Sequence, residues 1–196
     1  ATAIQADVSS EAEVASMFAA VAADGLDILC NNAGIAHASP VEEMAVSDFD
    51  RLMAVHVRGT FLCTRAALKL MYPRNRGRII NTASQLAYIG APGFSHYTAA
   101  KGAIVNLSRS LAITYIKQGV RSNVVSPGFI DTPMVAAVTP LFDDPQVAAT
   151  LSPIARAAQP EEIASVNAFF ASDDSSYCNG ANLVVDGGCT ARSFPG

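Results

Sequence analysis

The sequence predicts an α/β fold, with helices covering both faces of a parallel sheet, on three observations. Short apolar runs that suit strands alternate with longer segments that carry helix-capping signals. The strand-like runs are continuously apolar rather than alternating, which is typical of parallel strands buried on both faces. Small or polar residues follow four of these runs, at 7, 31–34, 84 and 127–128. Because the carboxyl ends of parallel strands lie at one edge of a sheet, this pattern predicts a ligand site there.

Turn and cap signals give the order of the elements. Ser10-Glu11-Ala12-Glu13 has the form of a capping box and predicts a helix start. Pro160 in a first turn marks another helix start, whereas Pro73 and Gly119 stand just beyond predicted helix ends. The predicted strands are 2–8, 26–31, 77–84, 120–126 and 181–185, and the predicted helices are 10–23, 47–72, 97–118 and 160–171.

Composition indicates one folded domain over residues 1–196. The chain is 51% hydrophobic and 15% charged, which argues against disorder, and its net charge is −4. It has no run of Lys or Arg, so we expect no nucleic-acid partner. We also expect no membrane span. The four cysteines have no metal-ligand spacing, which predicts reduced thiols in a cytoplasmic protein without a bound metal.

Ser84, Tyr97 and Lys101 are the candidate catalytic residues. Tyr97 and Lys101 are four residues apart, which places them on one face of a helix, one turn apart. Ser84 ends a predicted strand, and a loop with two glycines and a proline returns the chain towards it. An ammonium beside a phenol favours the phenolate, so we expect Lys101 to lower the pKa of Tyr97. A Tyr-x-x-x-Lys pair by itself is more typical of an exposed helix face, so the wider pattern must decide.

That wider pattern resembles the short-chain dehydrogenase/reductase family. It consists of Ser84, Tyr97 and Lys101 with Asn-Asn-Ala-Gly at 31–34 and Pro-Gly-Phe-Ile-Asp-Thr at 127–132. The resemblance implies a doubly wound, three-layer Rossmann-type sheet and hydride transfer between NAD or NADP and a secondary alcohol or carbonyl compound. It implies that Tyr97 is the acid/base, that Lys101 lowers its pKa and binds the nicotinamide ribose, and that Ser84 orients the substrate oxygen. It also implies a homodimer or homotetramer built on helices 47–72 and 97–118.

The same resemblance implies three groups of cofactor-binding residues. One pair would contact the adenine, a second group would let the cofactor approach the backbone, and a third would hold the nicotinamide carboxamide. The alternatives are a turn or cap role for the first pair and plain strand-to-loop turns for the others. In chain order the groups are Asp7 and Val8; Asn31, Asn32, Ala33 and Gly34; and Pro127, Gly128, Ile130 and Thr132.

Two features depart from the family pattern. His56 stands where the family has an asparagine that supports a proton relay, so His56 is either a relay member or a packing residue. No glycine-rich turn precedes Asp7, so we expect the first β-α-β portion of the fold to lie outside this chain. These departures leave a second hypothesis open, in which the chain is a non-catalytic, cofactor-free subunit or fragment.

Residues 132–159 are the predicted substrate lid. This segment contains four prolines and is long for a connection without regular structure. Its apolar side chains are expected to form a wall of the substrate site, which hints at a hydrophobic alcohol or ketone. The wall residues are Met134, Val135, Val138, Leu141 and Phe142.

Overall fold

The computed structural model describes residues 1–139 and 151–192. Its core is a four-stranded, all-parallel sheet in the order β1-β2-β3-β4. The register aligns Asn31 with Asn81, Asn81 with Val124, and Val124 with Asn182. The carboxyl ends of the strands therefore meet at one edge. The strands are β1 (Ile28–Asn31), β2 (Gly77–Thr82), β3 (Val120–Pro127) and β4 (Asn182–Val185).

Six described helices accompany the strands. Ser10 caps the first helix by accepting from the backbone N–H of Glu13, as the capping box predicts. One π-helical turn, Ala54–Arg58, joins α2 to α3, so the predicted helix 47–72 is nearly continuous but irregular in its middle. The helices are α1 (Glu11–Val21), α2 (Val46–Met53), α3 (Gly59–Met71), α4 (Ser95–Tyr115), α5 (Pro133–Val138) and α6 (Pro160–Ala171).

Alternate residues of the central strands pack on opposite faces of the sheet, which gives three layers. Ile79 of β2 packs with the buried side chains of α1 and α3. Val124 of β3 packs against α4 on that same face. Their neighbours Ile80 and Val125 pack against α6 on the other face. Both faces of β2 and β3 are covered, so apolar residues of these strands point to both faces. The strands are not continuously apolar as predicted, because β3 also contains Arg121, Ser122, Asn123 and Ser126.

The prediction of a strand at 2–8 is wrong. Residues 2–7 form no strand, and Val8 and Ser9 form a turn. A strand needs a neighbouring ladder for its backbone groups. A cavity of about 380 Å³ instead separates Thr2 and Ile4 from Leu29 of β1. Within the described residues, the outer edge of β1 pairs with no other strand.

The segment after β3 contains more structure than the predicted loop. Thr132 caps α5, and Ile130 forms an isolated parallel bridge with Ala158. The predicted wall residues Leu141 and Phe142 lie outside the described residues, as does the side chain of Val138. No helix among residues 1–139 and 151–192 is both long and apolar enough to cross a membrane.

Candidate active site

Ser84, Tyr97 and Lys101 meet beyond the carboxyl end of β2. Ser84 follows this strand in an extended conformation, and its Oγ caps the next short turn by accepting from the N–H of Leu86. Tyr97 and Lys101 lie in the first two turns of α4. The Ser84 hydroxyl hydrogen-bonds the Tyr97 phenol, and the Lys101 Nζ lies 5.4 Å from the centre of the Tyr97 ring. The structure therefore brings the three predicted residues together.

Lys101 is almost completely buried, and this decides the charges at the site. Its side chain is 4% exposed and donates to the carbonyl of Thr82 at 2.9 Å. Burial lowers its pKa from 10.5 to about 7. Burial likewise raises the pKa of Tyr97, and the hydrogen bond with Ser84 opposes this only in part. Lys101 is not among the causes of this shift, so the lowering of the Tyr97 pKa by Lys101 stays a prediction.

Tyr97 stands between two cavities. The first, of about 590 Å³, contains Lys101 together with residues from β1, the turn after β3, and α6. The second, of about 390 Å³, is lined mainly by apolar side chains. Ser84, Tyr97 and Met134 line both cavities. The apolar lining of the second cavity comes chiefly from Leu86, Ile89, Phe94, Phe129, Val135 and Leu151.

The first cavity adjoins the one that separates residues 2–4 from β1. Cys30 and Asn32 line both, so the two meet at the carboxyl end of β1 and are together called the cleft. The part lined by Thr2 and Ile4 also extends along β1 as far as Leu26. Lys101 has two N–H groups left beside its bond to Thr82, which suits the hydroxyls of a ribose. This donor fits the nicotinamide half of a dinucleotide. Of the residues predicted to bind it, Val8, Asn31, Asn32 and Ala33 line one part of the cleft, and Asn32, Gly34, Pro127, Gly128, Ile130 and Thr132 line the other.

Asp7 lies outside these cavities and has local partners. Its carboxylate accepts hydrogen bonds from the N–H and hydroxyl of Ser9 and from Arg51 at 3.0 Å. These hydrogen bonds lower the pKa of Asp7 to about 2, and those from Ser9 contribute most. The structure thus shows the turn role that the sequence left open as an alternative. An adenine contact by Asp7 stays a prediction.

Asn31 ties the sheet together. Its amide donates to Thr64 on α3 and to Asn81 on β2, at 3.2 and 2.9 Å. Asn81 in turn donates to Ser122 on β3. A continuous chain of hydrogen bonds therefore links a helix and three strands. Because the Asn31 amide nitrogen already donates to Thr64 and Asn81, it has no N–H left for a ligand.

His56 packs tightly against the Asn-Asn-Ala-Gly segment. It lies in the π-helical turn, is 1% exposed, and its Nε2 lies within hydrogen-bond distance of the N and O of Ile35. A Cβ added to Gly34 would meet the His56 ring at 2.7 Å, so the glycine makes room for this side chain. Burial, with the charge of Lys101, lowers the pKa of His56 to about 4. His56 is therefore neutral near pH 7 and anchors the loop after β1.

The turn after β3 borders both cavities. The N–H of Gly128 donates to the carbonyl of Val185, and a Cβ at Gly128 would meet the backbone of Asp186 at 2.7 Å. Only glycine fits this close approach of the chain to the end of β4. Thr132 uses its hydroxyl both to cap α5 and to contact the carbonyl of Ile130 at 3.2 Å.

Two features of the site were missed in the sequence. The rings of His37 and His96 touch, with 3.5 Å between His96 Nε2 and His37 Nδ1, although their spacing of 59 residues gives no signal. Gln85 is buried in the wall of the apolar cavity, and its position directly after Ser84 was the available signal. The described residues contain no group of three His, Cys, Asp or Glu side chains suited to a metal.

A parallel sheet with a cavity at its carboxyl edge, and with Ser84, Tyr97 and Lys101 in the wall of that cavity, is typical of a nucleotide-dependent α/β oxidoreductase. The nicotinamide ring of a bound dinucleotide would supply hydride chemistry at the Tyr97 end of this cleft.

Comparisons with known proteins agree with this class. Residues 1–190 match the family model described as Enoyl-(Acyl carrier protein) reductase. The chain is 41% identical over 191 residues to the cis-4-hydroxycyclohexanecarboxylate dehydrogenase of Sinomonas cyclohexanicum, covering 96% of this chain and 76% of that protein. The crystal structure of levodione reductase superposes with a TM-score of 0.91 at 36% identity, covering 96% of this chain and 76% of that one.

A gluconate 5-dehydrogenase from Burkholderia cenocepacia, solved with NADP and tartrate, has a TM-score of 0.89 at 31% identity. It is matched over 95% of this chain and 74% of its own length. The chain belongs to the short-chain dehydrogenase/reductase family. It is therefore an oxidoreductase that uses NAD or NADP.

Proposed function

We propose that this protein interconverts a small secondary alcohol and the corresponding ketone, with Tyr97 transferring the proton at the substrate oxygen. The observation that carries the proposal is the position of Tyr97 in the wall of both the cavity that holds Lys101 and the adjoining apolar cavity. A substrate in the apolar cavity would present its oxygen to Ser84 and Tyr97 and its reacting carbon to the cleft. The relative from Sinomonas cyclohexanicum, named for a hydroxycyclohexane acid, supports a secondary alcohol as the substrate.

The raised pKa of Tyr97 favours ketone reduction as the direction that needs least activation. A neutral phenol is the proton donor that ketone reduction requires, and burial keeps Tyr97 neutral near pH 7. The Ser84 hydroxyl, hydrogen-bonded to the phenol, would hold the substrate oxygen beside it. Lys101, with its pKa near 7, exchanges a proton readily at neutral pH and would bind the nicotinamide ribose. Alcohol oxidation requires the phenolate and is expected to favour higher pH.

The cofactor-contact residues extend this proposal. Asn32 and Gly34 would lie beside the middle of the dinucleotide, and Ile130 and Thr132 beside the nicotinamide carboxamide, since all four line the cavity that holds Lys101. Val8, Asn31 and Ala33 would lie towards the adenine. The segment 132–159 would act as the substrate lid, because Met134 and Val135 line both cavities.

Tyr97→Phe tests the acid/base role. The variant loses one hydroxyl and should lose about 10² to 10⁴ in kcat, the usual contribution of a positioned proton donor. Its melting temperature and its quenching of NADH or NADPH fluorescence should stay near wild type. Tyr177→Phe is the matched control, because Tyr177 is fully exposed and distant from the cavities. Near-normal turnover in Tyr97→Phe would refute the assignment.

The second hypothesis, a non-catalytic and cofactor-free subunit, makes the opposite prediction. It rests on His56 in place of the family asparagine. Wild-type protein that gives neither turnover nor fluorescence change with NADH or NADPH would favour it over the enzyme.

We also propose a homodimer or homotetramer built on α2, α3 and α4. Of the apolar positions on these helices, Leu52, Val55 and Ile104 are buried within the chain itself. Phe61, however, is 48% exposed beside an apolar hollow of about 560 Å³ that Leu107 also lines. An exposed apolar patch of this kind is typical of a protein interface.

A further inference from the structure

The three histidines of the chain form a cluster beside Tyr97. The rings of His37 and His96 touch, with their centres 4.4 Å apart. The ring of His56 lies edge-on to that of Tyr97, with 5.5 Å between the ring centres. His56 and His96 are each 1% exposed, and one nitrogen of each of the three rings is buried without a hydrogen-bond partner within residues 1–139 and 151–192. None of these rings takes part in the proposed reaction, so they are candidates for a supporting role.

The contact between His37 and His96 joins the two segments whose relative position the proposed reaction depends on. His37 lies in the loop after β1, whose first residues line the cleft. His96 lies in the first turn of α4, directly before Tyr97. Beside this contact, the N–H of Ser39 donates to the carbonyl of Gly93 at 2.9 Å, which ties the same loop to the segment before α4. The cofactor side of the site and the proton donor are thus held together at this point.

The contact requires that one of its two facing nitrogens carries no proton. Nε2 of His96 lies 3.5 Å from Nδ1 of His37, within hydrogen-bond distance. One nitrogen donates and the other accepts, and the tautomers decide which. A first added proton is compatible with this bond. A second would place two cations side by side, with a buried nitrogen of each ring lacking an acceptor, and the rings would repel each other.

Charged groups face the pair from neighbouring elements. Burial, with the charge of His37, lowers the pKa of His96 below its usual 6.5, and Asp48 on α2 opposes this only in part. His56 faces the pair from the π-helical turn, where burial and the charges of Lys101 and His96 lower its own pKa to about 4. The loop between β2 and α4 contains no charged residue. His96 is therefore neutral near pH 7, and its contact with His37 is intact.

We infer that His37 and His96 are positioning residues, which hold Tyr97 in register with the cofactor-binding loop and release it when both rings are protonated. This inference rests on the proposed role of Tyr97. Neither ring lines either of the two cavities beside Tyr97, so the pair acts through the position of the phenol and not by touching the substrate. A small misplacement of a proton donor lowers kcat, whereas cofactor binding is little affected.

The test follows the reduction of cyclohexanone with NADH and NADPH from pH 5 to 8 in wild type and His96→Phe, which keeps a ring without nitrogens. At pH 8 the kcat of the variant should be about fivefold lower, the effect of one lost hydrogen bond, with the KM for the cofactor little changed. Towards pH 5 the two kcat values should converge, because wild type loses the same contact by protonation. Lys101 titrates in both proteins and cancels in the ratio, and burial keeps Tyr97 neutral throughout this range.

His96→Gln and Thr98→Ala are the matched variants. The glutamine amide reaches about as far as Nε2 and takes up no proton, so it should restore much of the kcat at pH 8 and exceed wild type at pH 5. Thr98→Ala alters the same turn of α4, because it removes the hydrogen bond from Oγ1 to the carbonyl of Ser95 at 2.8 Å. It removes no titratable group, so its kcat relative to wild type should be the same at every pH.

NMR titration of the imidazole signals gives a readout that does not depend on activity. In wild type His37 and His96 should titrate as a coupled pair, and His37→Phe should raise the pKa of His96. A kcat ratio of His96→Phe to wild type that is constant with pH, or a titration of His96 that ignores His37→Phe, overturns the positioning role. If His96→Phe does not fold, a His96→Gln variant that is no better than wild type at pH 5 overturns it as well. Absence of turnover by wild type at every pH, with cyclic and acyclic ketones alike, refutes the proposed function instead.

Discussion

Replacing Lys101 by methionine should stabilise the protein in the absence of cofactor while it removes activity. The buried ammonium has a pKa of about 7, against 10.5 for a free lysine. Its folded pKa is thus below its unfolded pKa, so the folded state disfavours the charge. Between pH 7 and 10.5 the unfolded chain binds a proton that the folded chain does not, and wild-type stability therefore rises with pH in this window.

The structure sets the size of the effect. The difference between 10.5 and about 7, at 1.36 kcal/mol per pKa unit, gives an upper limit of about 5 kcal/mol at pH 7 and below. Lys101→Met also removes the hydrogen bond to the Thr82 carbonyl, which offsets about 1–3 kcal/mol. The net gain in the free energy of unfolding should be about 2–4 kcal/mol at pH 7. It should shrink steadily as the pH approaches 10.

Urea unfolding of wild type and variant at pH 7, 8, 9 and 10 measures this gain. Titrating groups that the two proteins share, such as Tyr72 and the cysteines, cancel in the difference. Lys117→Met is the control, because Lys117 is exposed and should give no pH-dependent difference. A gain that stays constant with pH, or a variant less stable than wild type at pH 7, would show that Lys101 does not carry the predicted cost of burial.

Three further predictions follow from the site and the helix face. His56→Asn should keep kcat within about threefold, because the neutral imidazole contributes no charge to the reaction. It should lower the free energy of unfolding by about 1–2 kcal/mol, because the N–H of Ile35 loses its hydrogen-bond partner. A hundredfold fall in kcat with unchanged stability would instead give His56 a chemical role. Alcohol oxidation should speed up from pH 7 to 10, because burial raises the pKa of Tyr97 and the phenolate forms late; a pH-independent oxidation rate would contradict this. Phe61→Asp should shift the sedimentation coefficient to that of the monomer, and an unchanged assembly would place the interface elsewhere.

Most of the sheet and its helices could be predicted because their signals are local. Runs with several apolar residues predicted β2 and β3, and Ser10 and Pro160 marked helix starts within a residue. The strand predicted at 2–8 failed because a strand is defined by its ladder partner, which no run of residues reveals by itself. The π-helical turn at Ala54–Arg58 was also not predicted, and within it His56 contacts Ile35 of the loop after β1.

By itself, the sequence determined which chemistry this protein can hold: a serine after a strand and a tyrosine and lysine one helical turn apart, at the binding edge of a parallel sheet. Spacing along regular elements sets that arrangement, so it can be read from the order of residues. Only the tertiary structure decided the charge of each group and the partners of each polar atom. Burial raises the pKa of Tyr97 and lowers that of Lys101, and the Oε1 of Gln85 has no hydrogen-bond partner in the described part of the chain, because desolvation and packing arise between segments far apart in the chain.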